Sequence, residues 1–296
     1  MFFVSVAFAA IALPRPLVLA MSTLNVLALG VVGLDQAADA RSGLTLRVLW
    51  VAGLIATALV GASISADRAE RARALRESQE EIVHRLARVV ECRDSDTGGH
   101  VERMSRYSML IALELGWSPE RCRELWLAAA LHDVGKVAVP DAILVKPGPL
   151  TVEERRVMQR HCQAGFDMLS GSDSTLLTLA AEIALTHHER FDGAGYPSGL
   201  GGSEIPLAGW IVAVADVFDA VTSARVYKEA IDLHDAVDII LGGRGTQFDP
   251  DVVDAFLRRL DAVSALHGES VASDGSLWPG DEPATRLPAS ALTHRA

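Results

Sequence analysis

Histidines and aspartates recur along the middle of this chain in a pattern that suits metal binding. The set comprises His100, His132, Asp133, His161, His187, His188 and Asp216. It takes in five of the nine histidines of the chain. Imidazole and carboxylate groups together hold divalent transition metals. The pattern therefore predicts that a packed domain brings these side chains together around metal ions.

The run HDVGK at 132–136 is the strongest single motif, because it follows the apolar stretch LWLAAAL. Burial of an acid and an imidazole there is costly unless a partner offsets it, and a metal is one such partner. The dipeptide alone is weak evidence. His234-Asp235 repeats the same two residues among polar neighbours, where they are expected to be solvated. The apolar frame and the ordered set around it carry the prediction.

Three further runs accompany these residues, and together they resemble a known family. They are GYP at 195–197, DAVTSARVYK at 219–228 and QFDP at 247–250. With HDVGK and the histidine pair, their order resembles the HD-GYP family of cyclic di-GMP phosphodiesterases over roughly residues 83–260. The resemblance implies an all-α, HD-type helical bundle. It also implies metal-dependent hydrolysis of cyclic di-GMP to pGpG, with GMP as the product of a second cleavage.

The resemblance implies that the seven histidines and aspartates above are metal ligands. Asp133 is expected to bridge two ions, because a carboxylate has two oxygens to share. The family commonly has glutamate where this chain has Asp96, a side chain shorter by one methylene. The expected cofactors are therefore two divalent ions, iron or manganese, with a third if Asp96 reaches it. Two adjacent ions would activate a bridging water as hydroxide and neutralise charge in the transition state.

Catalytic and substrate-binding roles also follow from the resemblance. The chain has only three lysines against 24 arginines, and Lys136 and Lys228 stand at motif positions. Lys136 is expected to act in catalysis beside the scissile phosphate, together with Asp133. Arg225 and Lys228 are expected to bind the phosphates of the substrate, and a surface helix end is the less favoured explanation of the same residues. Tyr196 is expected either to contact a purine or to anchor its loop.

Two other functions remain open at this point. One is a different HD-superfamily nucleotide phosphohydrolase, against which the GYP loop and the Arg225/Lys228 motif argue. The other is a receptor or scaffold that binds cyclic di-GMP without efficient cleavage. This alternative stays open because Asp96 is shorter than the glutamate that is common in the family. The net charge of −11 argues against nucleic acid as a partner. Expected partners are cyclic di-GMP, a second copy of the chain, diguanylate cyclases and a membrane.

The pattern between these motifs predicts helices and almost no strands. Apolar residues at three- and four-residue steps favour helices over 105–115, 119–131, 176–189 and 207–222. Thr151 and Glu154 form a capping-box pattern that starts another helix. The segment 191–206 is dense in glycine and proline and predicts an irregular loop. His84 is predicted to be a surface residue, and QFDP a structural stop before the last helix.

The first 65 residues are unlike the rest. The uncharged runs 17–34 and 48–65 are each long enough to span a bilayer as a helix. Four arginines follow the second run, which predicts that the remainder lies on the cytoplasmic side of the inner membrane. Three cysteines, Cys92, Cys122 and Cys162, fit free thiols in a reducing compartment.

The predicted domains are a membrane-spanning region at 1–65 with two or three segments, a helical linker at 66–93, a phosphodiesterase domain at 94–260 and a disordered tail at 261–296. The linker carries Leu75, Ile82, Leu86 and Val89 at a spacing near 3.5 residues. That spacing predicts a parallel two-helix coiled coil. A plain amphipathic first helix of the next domain explains the same residues, and the sequence does not decide between them.

Overall fold

The computed structural model describes residues 40–93, 99–223 and 230–268, which form helices joined by loops. These residues form no strand, and the one isolated bridge between them pairs Arg244 with Phe248. The all-α prediction is therefore confirmed for the part of the chain that is described. The chain divides into two units, Met1–Ser78 and Gln79–Ala296.

Ten α-helices and two short 3-10 helices occur in the described ranges. In chain order the α-helices are α1 (Ala40–Glu91), α2 (His100–Glu114), α3 (Pro119–Ala129), α4 (Asp141–Leu144), α5 (Val152–Leu169), α6 (Thr175–Thr186), α7 (Leu207–Thr222), α8 (Leu233–Gly242), α9 (Pro250–Arg258) and α10 (Leu260–Gly268). The 3-10 helices are Val134–Ala138 and Gly202–Glu204.

The membrane spans predicted from the sequence are not supported by the described residues. The run 17–34 lies outside them, and the run 48–65 lies within α1. Among the helices that can be described, none combines the length and the apolar character needed to cross a bilayer.

Helix α7 forms the centre of the second unit. Its sequence LAGWIVAVADVFDAVT is apolar almost all round, which is typical of a helix buried on every side. Twelve of its sixteen residues are buried. Phe218 on α7 packs edge to face against Tyr107 of α2 and Phe256 of α9. Helix α7 can therefore hold a side chain in a fixed place deep in the domain.

Local capping fixes where the helices around α7 begin. The Thr151 side chain accepts a hydrogen bond from the Glu154 amide, and Glu154 accepts one from the Thr151 amide, so the predicted capping box is confirmed. Ser118 caps α3, with Pro119 at its first position. Asp249 caps α9 by accepting from the amides of Asp251 and Val252. The capping box thus fixes the start of α5, the helix that carries His161.

The second unit is larger at both ends than the sequence predicted. It begins at Gln79, not at residue 94, because the end of α1 packs into it. His84, predicted at the surface, is 3% exposed and its ring lies 4.3 Å from that of Trp126. At the other end, α9 is not the last helix: Val263 of α10 is buried in the core, so residues 261–268 belong to the fold. The rest of the predicted tail lies outside the described residues.

The predicted coiled-coil positions on α1 are all exposed. Leu75, Ile82, Leu86 and Val89 are 53–65% exposed. By contrast, Ala87 is buried against the core of the second unit and Val83 packs on it. The end of α1 therefore is the amphipathic first helix of this unit. Its exposed apolar residues leave the coiled-coil prediction untested.

Candidate metal centre

All seven predicted ligands lie together in the second unit, in two adjacent groups. The first group is Asp133, His161, His187 and His188, and the second is His100, His132 and Asp216. Within each group, one nitrogen or oxygen of every residue lies within 4.8 Å of the corresponding atoms of the others. The convergence predicted from the sequence is therefore observed, and the division into two groups is what the sequence could not provide.

Five helices contribute these side chains, mostly from their ends. His100 is the first residue of α2, and His187 follows directly after α6. His132 and Asp133 lie between α3 and the 3-10 helix that begins at Val134. His161 and Asp216 lie within α5 and α7. Because the core packs these helices together, distant parts of the sequence meet at one place.

Asp133 lies at the junction of the two groups. Its Oδ1 is 3.3 Å from Nε2 of His161 and 3.8 Å from Nε2 of His187. Its Oδ2 is 3.2 Å from Nε2 of His132. One oxygen thus faces each group, which is the arrangement a bridging carboxylate requires.

Hydrogen bonds to backbone carbonyls fix the orientation of three of the histidine rings. Nδ1 of His132 lies 2.9 Å from the carbonyl oxygen of Ala129. The corresponding distances are 2.8 Å from His161 to Met158 and 3.0 Å from His187 to Ile183. A carbonyl oxygen only accepts, so each Nδ1 carries the hydrogen. The lone pair of the neutral ring is then on Nε2, which points into the cluster. Metal-binding histidines are commonly held in this way.

Buried polar atoms without partners indicate that the cluster suits a cation. Among the described residues, Nε2 of His132, Nε2 of His187 and Oδ1 of Asp133 are buried and form no hydrogen bond. Such atoms carry a desolvation penalty unless a partner satisfies them. All three belong to the two groups and aim at the same space. A set of imidazoles and carboxylates with open lone pairs fits divalent metal ions.

The protonation of the His187-His188 pair also favours metal binding. Burial lowers the pKa of His187 to about 3 and holds the pKa of His188 well below its usual range. Both rings are therefore neutral at pH 7. Burial alone would raise the pKa of Asp133, but Lys136 and His132 outweigh it and hold that pKa well below its usual range. Burial disfavours the charged form of His132, yet Asp133 raises its pKa above the ordinary value.

The remaining residues of the HDVGK run shape the same place. Lys136 Nζ donates to Asp133 Oδ2 at 2.7 Å, so its charge lies beside the junction of the two groups. Gly135 packs directly on α5: a Cβ there would overlap the carbonyl oxygen of His161 and the amide nitrogen of Gly165. The glycine therefore lets the Asp133 segment approach the helix that carries His161.

The GYP loop is held against the histidine pair by Glu189. This buried carboxylate accepts hydrogen bonds from the amides of Ser198 at 2.7 Å and Leu200 at 3.0 Å. The Tyr196 ring lies 4.7 Å from that of His188. Gly195 is required because a Cβ would lie 2.5 Å from the backbone of Glu189 and Arg190. Tyr196 thus packs on one of the predicted metal ligands.

Three buried side chains that support the site were missed in the sequence. Asp219 accepts from His100 Nδ1 at 2.8 Å and from Arg103 Nε at 2.7 Å. Glu91, at the end of α1, accepts from the amides of His100 at 3.0 Å and Val101 at 3.4 Å. Glu189 is the third. Asp219 stands three residues after Asp216, near the end of the apolar helix α7. An acid at that position in an apolar helix is the feature of the sequence that could have identified it.

The site opens into a cleft with a volume of about 310 Å³. His187, His188, Tyr196 and Asp216 line it, together with Arg155, Gln159, Arg190 and Gln247. The QFDP run was predicted to be structural only. Its Asp249 is a helix cap, but Gln247 also borders the cleft. Asp96, Arg225 and Lys228 lie outside the described residues, so their predicted roles stay predictions.

Comparison with known proteins identifies the family of the chain. A family model described as HD domain matches residues 84–252. The cyclic di-GMP phosphodiesterase response regulator RpfG of Xanthomonas campestris pv. campestris is 48% identical over 204 residues, which are 69% of this chain and 53% of that protein. A cyclic di-GMP phosphodiesterase of Thermotoga maritima is 49% identical over 196 residues, 66% of this chain and 53% of that protein.

A third relative carries a different substrate in its name. The 3′3′-cGAMP-specific phosphodiesterase 2 of Vibrio cholerae serotype O1 is 41% identical over 192 residues, 65% of this chain and 37% of that protein. The chain spans about half the length of the first two relatives, or less for the third. The family match covers more than half of the chain, and the chain belongs to the HD domain family. Its resemblance to the cyclic di-GMP phosphodiesterases of that family is confirmed.

Proposed function

We propose that this chain is a metal-dependent phosphodiesterase that hydrolyses cyclic di-GMP to pGpG, with GMP formed by a second cleavage. The observation that carries the proposal is the pair of ligand groups joined by Asp133 beside an open cleft. Two relatives that are 48% and 49% identical are named for activity on cyclic di-GMP. Their names supply the substrate, and the geometry supplies the reaction class.

The proposed ligands are the seven residues of the two groups, with Asp133 shared between them. One ion would be held by His161, His187 and His188, and the other by His100, His132 and Asp216. We propose iron or manganese, since a mixture of imidazole and carboxylate suits these metals. A third ion, held with the help of Asp96, belongs to the proposal as well. When bound, the ions supply Lewis acidity at the phosphoryl oxygen and a more acidic water.

The side chains of this protein orient the substrate and hold charge in place. The Lys136 ammonium lies beside Asp133, where it can donate to a phosphate oxygen and offset its negative charge. Neutral His187 and His188 keep their Nε2 lone pairs available at pH 7. Tyr196 packs against His188 and lines the cleft. Arg225 and Lys228 are proposed from the sequence motif to bind the phosphates.

The experiment that tests this function uses the full chain, purified without oxygen and loaded with Mn²⁺ or Fe²⁺. We expect cyclic di-GMP to be converted to pGpG. In Lys136→Ala, turnover should fall by at least about a hundredfold, because a positive charge that stabilises the transition state is lost. If 5′-nucleotides are hydrolysed and cyclic di-GMP is not, the chain is another nucleotide phosphohydrolase. If cyclic di-GMP binds with the ions in place but is not cleaved, the chain is a receptor or scaffold.

A second candidate substrate is 3′3′-cGAMP, because a relative that is 41% identical is named for it. This molecule differs from cyclic di-GMP in one purine. The same reaction at the same metal centre would cleave it. Parallel assays with both cyclic dinucleotides decide which has the higher kcat/KM.

We further propose that the chain is held at the cytoplasmic face of the inner membrane as a homodimer, near diguanylate cyclases. The apolar run 17–34 and the arginines after residue 65 support the membrane location from sequence. Exposed Ile82, Leu86 and Val89 on α1 support a second copy as partner. Cell fractionation tests the membrane location. Light scattering tests the homodimer: we expect the wild type to be a dimer and Leu86→Glu to be a monomer.

A further inference from the structure

The cleft beside the metal centre carries hydrogen-bonding side chains that the proposed mechanism does not use. Arg155 and Gln159 line it together with His187, His188 and Asp216. The two residues lie four positions apart on α5, so their side chains share one face of that helix. A substrate held by the metal ligands would occupy a cleft that these two residues border.

Arg155 offers a cation that no described residue neutralises. Its side chain is exposed and, within the described part of the chain, makes no hydrogen bond or ion pair. Arg190, which lines the same cleft, is different: it donates to both carboxylate oxygens of Asp192, at 3.0 and 2.7 Å. Arg155 therefore has all its side-chain donors available for a ligand.

The backbone of Arg155 is nevertheless held firmly. It lies one residue after Glu154 of the capping box, and its amide donates to the Thr151 carbonyl at 2.9 Å. Lys146 Nζ donates to Glu154 at 2.5 Å and ties the preceding turn to the helix. His161 lies six residues further along α5, about 9 Å along the helix axis. Arg155 is thus placed near the metal centre without belonging to it.

The polar groups around Arg155 suit a purine edge better than a second phosphate. Gln159 and Gln247 also line the cleft, and among the described residues their side-chain amides form no hydrogen bond. A phosphate oxygen only accepts, so it would leave the amide carbonyls without a donor. A purine edge offers both donors and acceptors. Guanine offers O6 and N7 as two adjacent acceptors, which a guanidinium binds together.

We propose that Arg155, flanked by Gln159 and Gln247, reads a guanine of the substrate and makes the site selective for guanine over adenine. Adenine presents an amino donor where guanine presents O6, and arginine has only donors to offer it. The proposal rests on the proposed function, since it assumes that a cyclic dinucleotide enters the cleft. It adds the residue that distinguishes one purine from another.

The test compares three Mn²⁺-loaded full-length proteins: wild type, Arg155→Ala and Arg156→Ala. Arg156 is the matched control, because it is the next residue of α5, is exposed and does not line the cleft. Each protein is assayed with cyclic di-GMP, cyclic di-AMP and bis(p-nitrophenyl) phosphate, a phosphodiester that has no purine. Equal thermal unfolding midpoints confirm that the variants are folded.

We expect Arg155→Ala to lower kcat/KM for cyclic di-GMP by about tenfold to a hundredfold, mainly through a higher KM. Its activity on cyclic di-AMP and on bis(p-nitrophenyl) phosphate should stay within about twofold, and Arg156→Ala should match the wild type. An equal loss on both cyclic dinucleotides would overturn the proposal in favour of a phosphate contact. No loss, or a loss on bis(p-nitrophenyl) phosphate, would also overturn it. Wild type that cleaves only bis(p-nitrophenyl) phosphate would refute the proposed function instead.

Discussion

The carboxylate of Asp219 accepts a 2.8 Å hydrogen bond from Nδ1 of His100, the first residue of α2. The same carboxylate receives Nε and a terminal nitrogen of Arg103 at 2.7 and 2.9 Å. Asp219 is fully buried, and the charge of Arg103 offsets its own. The result is that Nε2 of His100 faces Asp216, 3.5 Å away, in the second ligand group.

Replacement of Asp219 by asparagine should weaken metal binding at the second group. The asparagine could still accept from His100, but it would lack the charge that binds Arg103 and makes the ring more basic. Loss of such a supporting carboxylate typically lowers metal affinity by about tenfold to a hundredfold. Titration of Mn²⁺ against a competing chelator measures the change.

Asp254→Asn is the matched control for Asp219→Asn. Asp254 accepts hydrogen bonds from Nε and a terminal nitrogen of Arg244, at 2.9 and 2.8 Å, in an exposed pair that includes none of the seven predicted ligands. The control removes the same charge from an arginine–aspartate pair with the same two hydrogen bonds, but at the surface. Equal metal affinity in wild type and Asp219→Asn would contradict the role assigned to Asp219.

Asp133→Asn should reduce the binding of metal ions at both ligand groups, because Asp133 lies between them. His188→Ala should affect only the first group, to which His188 belongs. Elemental analysis of the purified variants distinguishes the two patterns. Asp235→Asn serves as control, since Asp235 belongs to the second histidine-aspartate dipeptide and is exposed. If Asp133→Asn and His188→Ala lose the same number of ions, Asp133 is not shared.

His84 should make the protein sensitive to mild acid. Burial lowers the pKa of His84 to about 4 in the folded state, from 6.5 in the unfolded chain. Below pH 6.5 the unfolded chain takes up a proton that the folded protein cannot. The free energy of unfolding therefore is unaffected above pH 6.5 and falls as the pH drops toward 4, by at most about 3 kcal/mol.

The measurement for His84 is denaturant unfolding of metal-free protein at pH 7.5 and pH 5. The loss between the two pH values should be smaller in His84→Gln than in wild type. His234→Gln should lose at least as much as wild type, because a backbone hydrogen bond and Asp238 raise the pKa of this exposed histidine and do not lower it. An identical loss in all three proteins would show that His84 contributes nothing to acid sensitivity.

Glu91 should stabilise both the helix junction and the metal centre. Its carboxylate receives the first amides of α2, whose first residue is His100. Glu91→Ala removes this cap, and loss of a side-chain cap typically lowers the free energy of unfolding by about 1 kcal/mol. Because His100 would then be less well placed, Mn²⁺ affinity should fall too.

Glu81→Ala is the control for the cap, since Glu81 is on the same helix, is exposed and pairs with Arg85 four residues away. Denaturant unfolding and Mn²⁺ titration of the two variants compare the effects. A variant Glu91→Ala that unfolds earlier but binds Mn²⁺ as wild type does would restrict Glu91 to a structural role.

Much of the fold and most of the candidate site could be predicted from the sequence. The helical periodicity around Trp126 and Phe218 reflects burial, and burial is what a pattern of apolar residues encodes. The ligands could be named because histidine and aspartate in apolar surroundings need a partner. The order of the surrounding motifs, which matches the family, distinguishes His132-Asp133 from the identical dipeptide His234-Asp235.

The supporting residues and the division of the ligands could not be predicted in the same way. Asp219, Glu91 and Glu189 look like ordinary acids in the sequence, and their partners are separated from them by up to 119 residues. The sequence predicts His84 at the surface because its partner, Trp126, lies 42 positions away in the chain and gives no local signal of burial. Which oxygen of Asp133 faces which histidine depends on how five helices pack, and local patterns carry no such information.

The most direct test of the central claim counts metal ions and turnover in one sample. The full chain is purified without oxygen, its metals are counted per chain, and the same sample is assayed with cyclic di-GMP before and after chelation. The two ligand groups predict about two ions per chain, with hydrolysis abolished by chelation and restored by Mn²⁺ or Fe²⁺. Hydrolysis that persists after every ion has been removed would contradict the account.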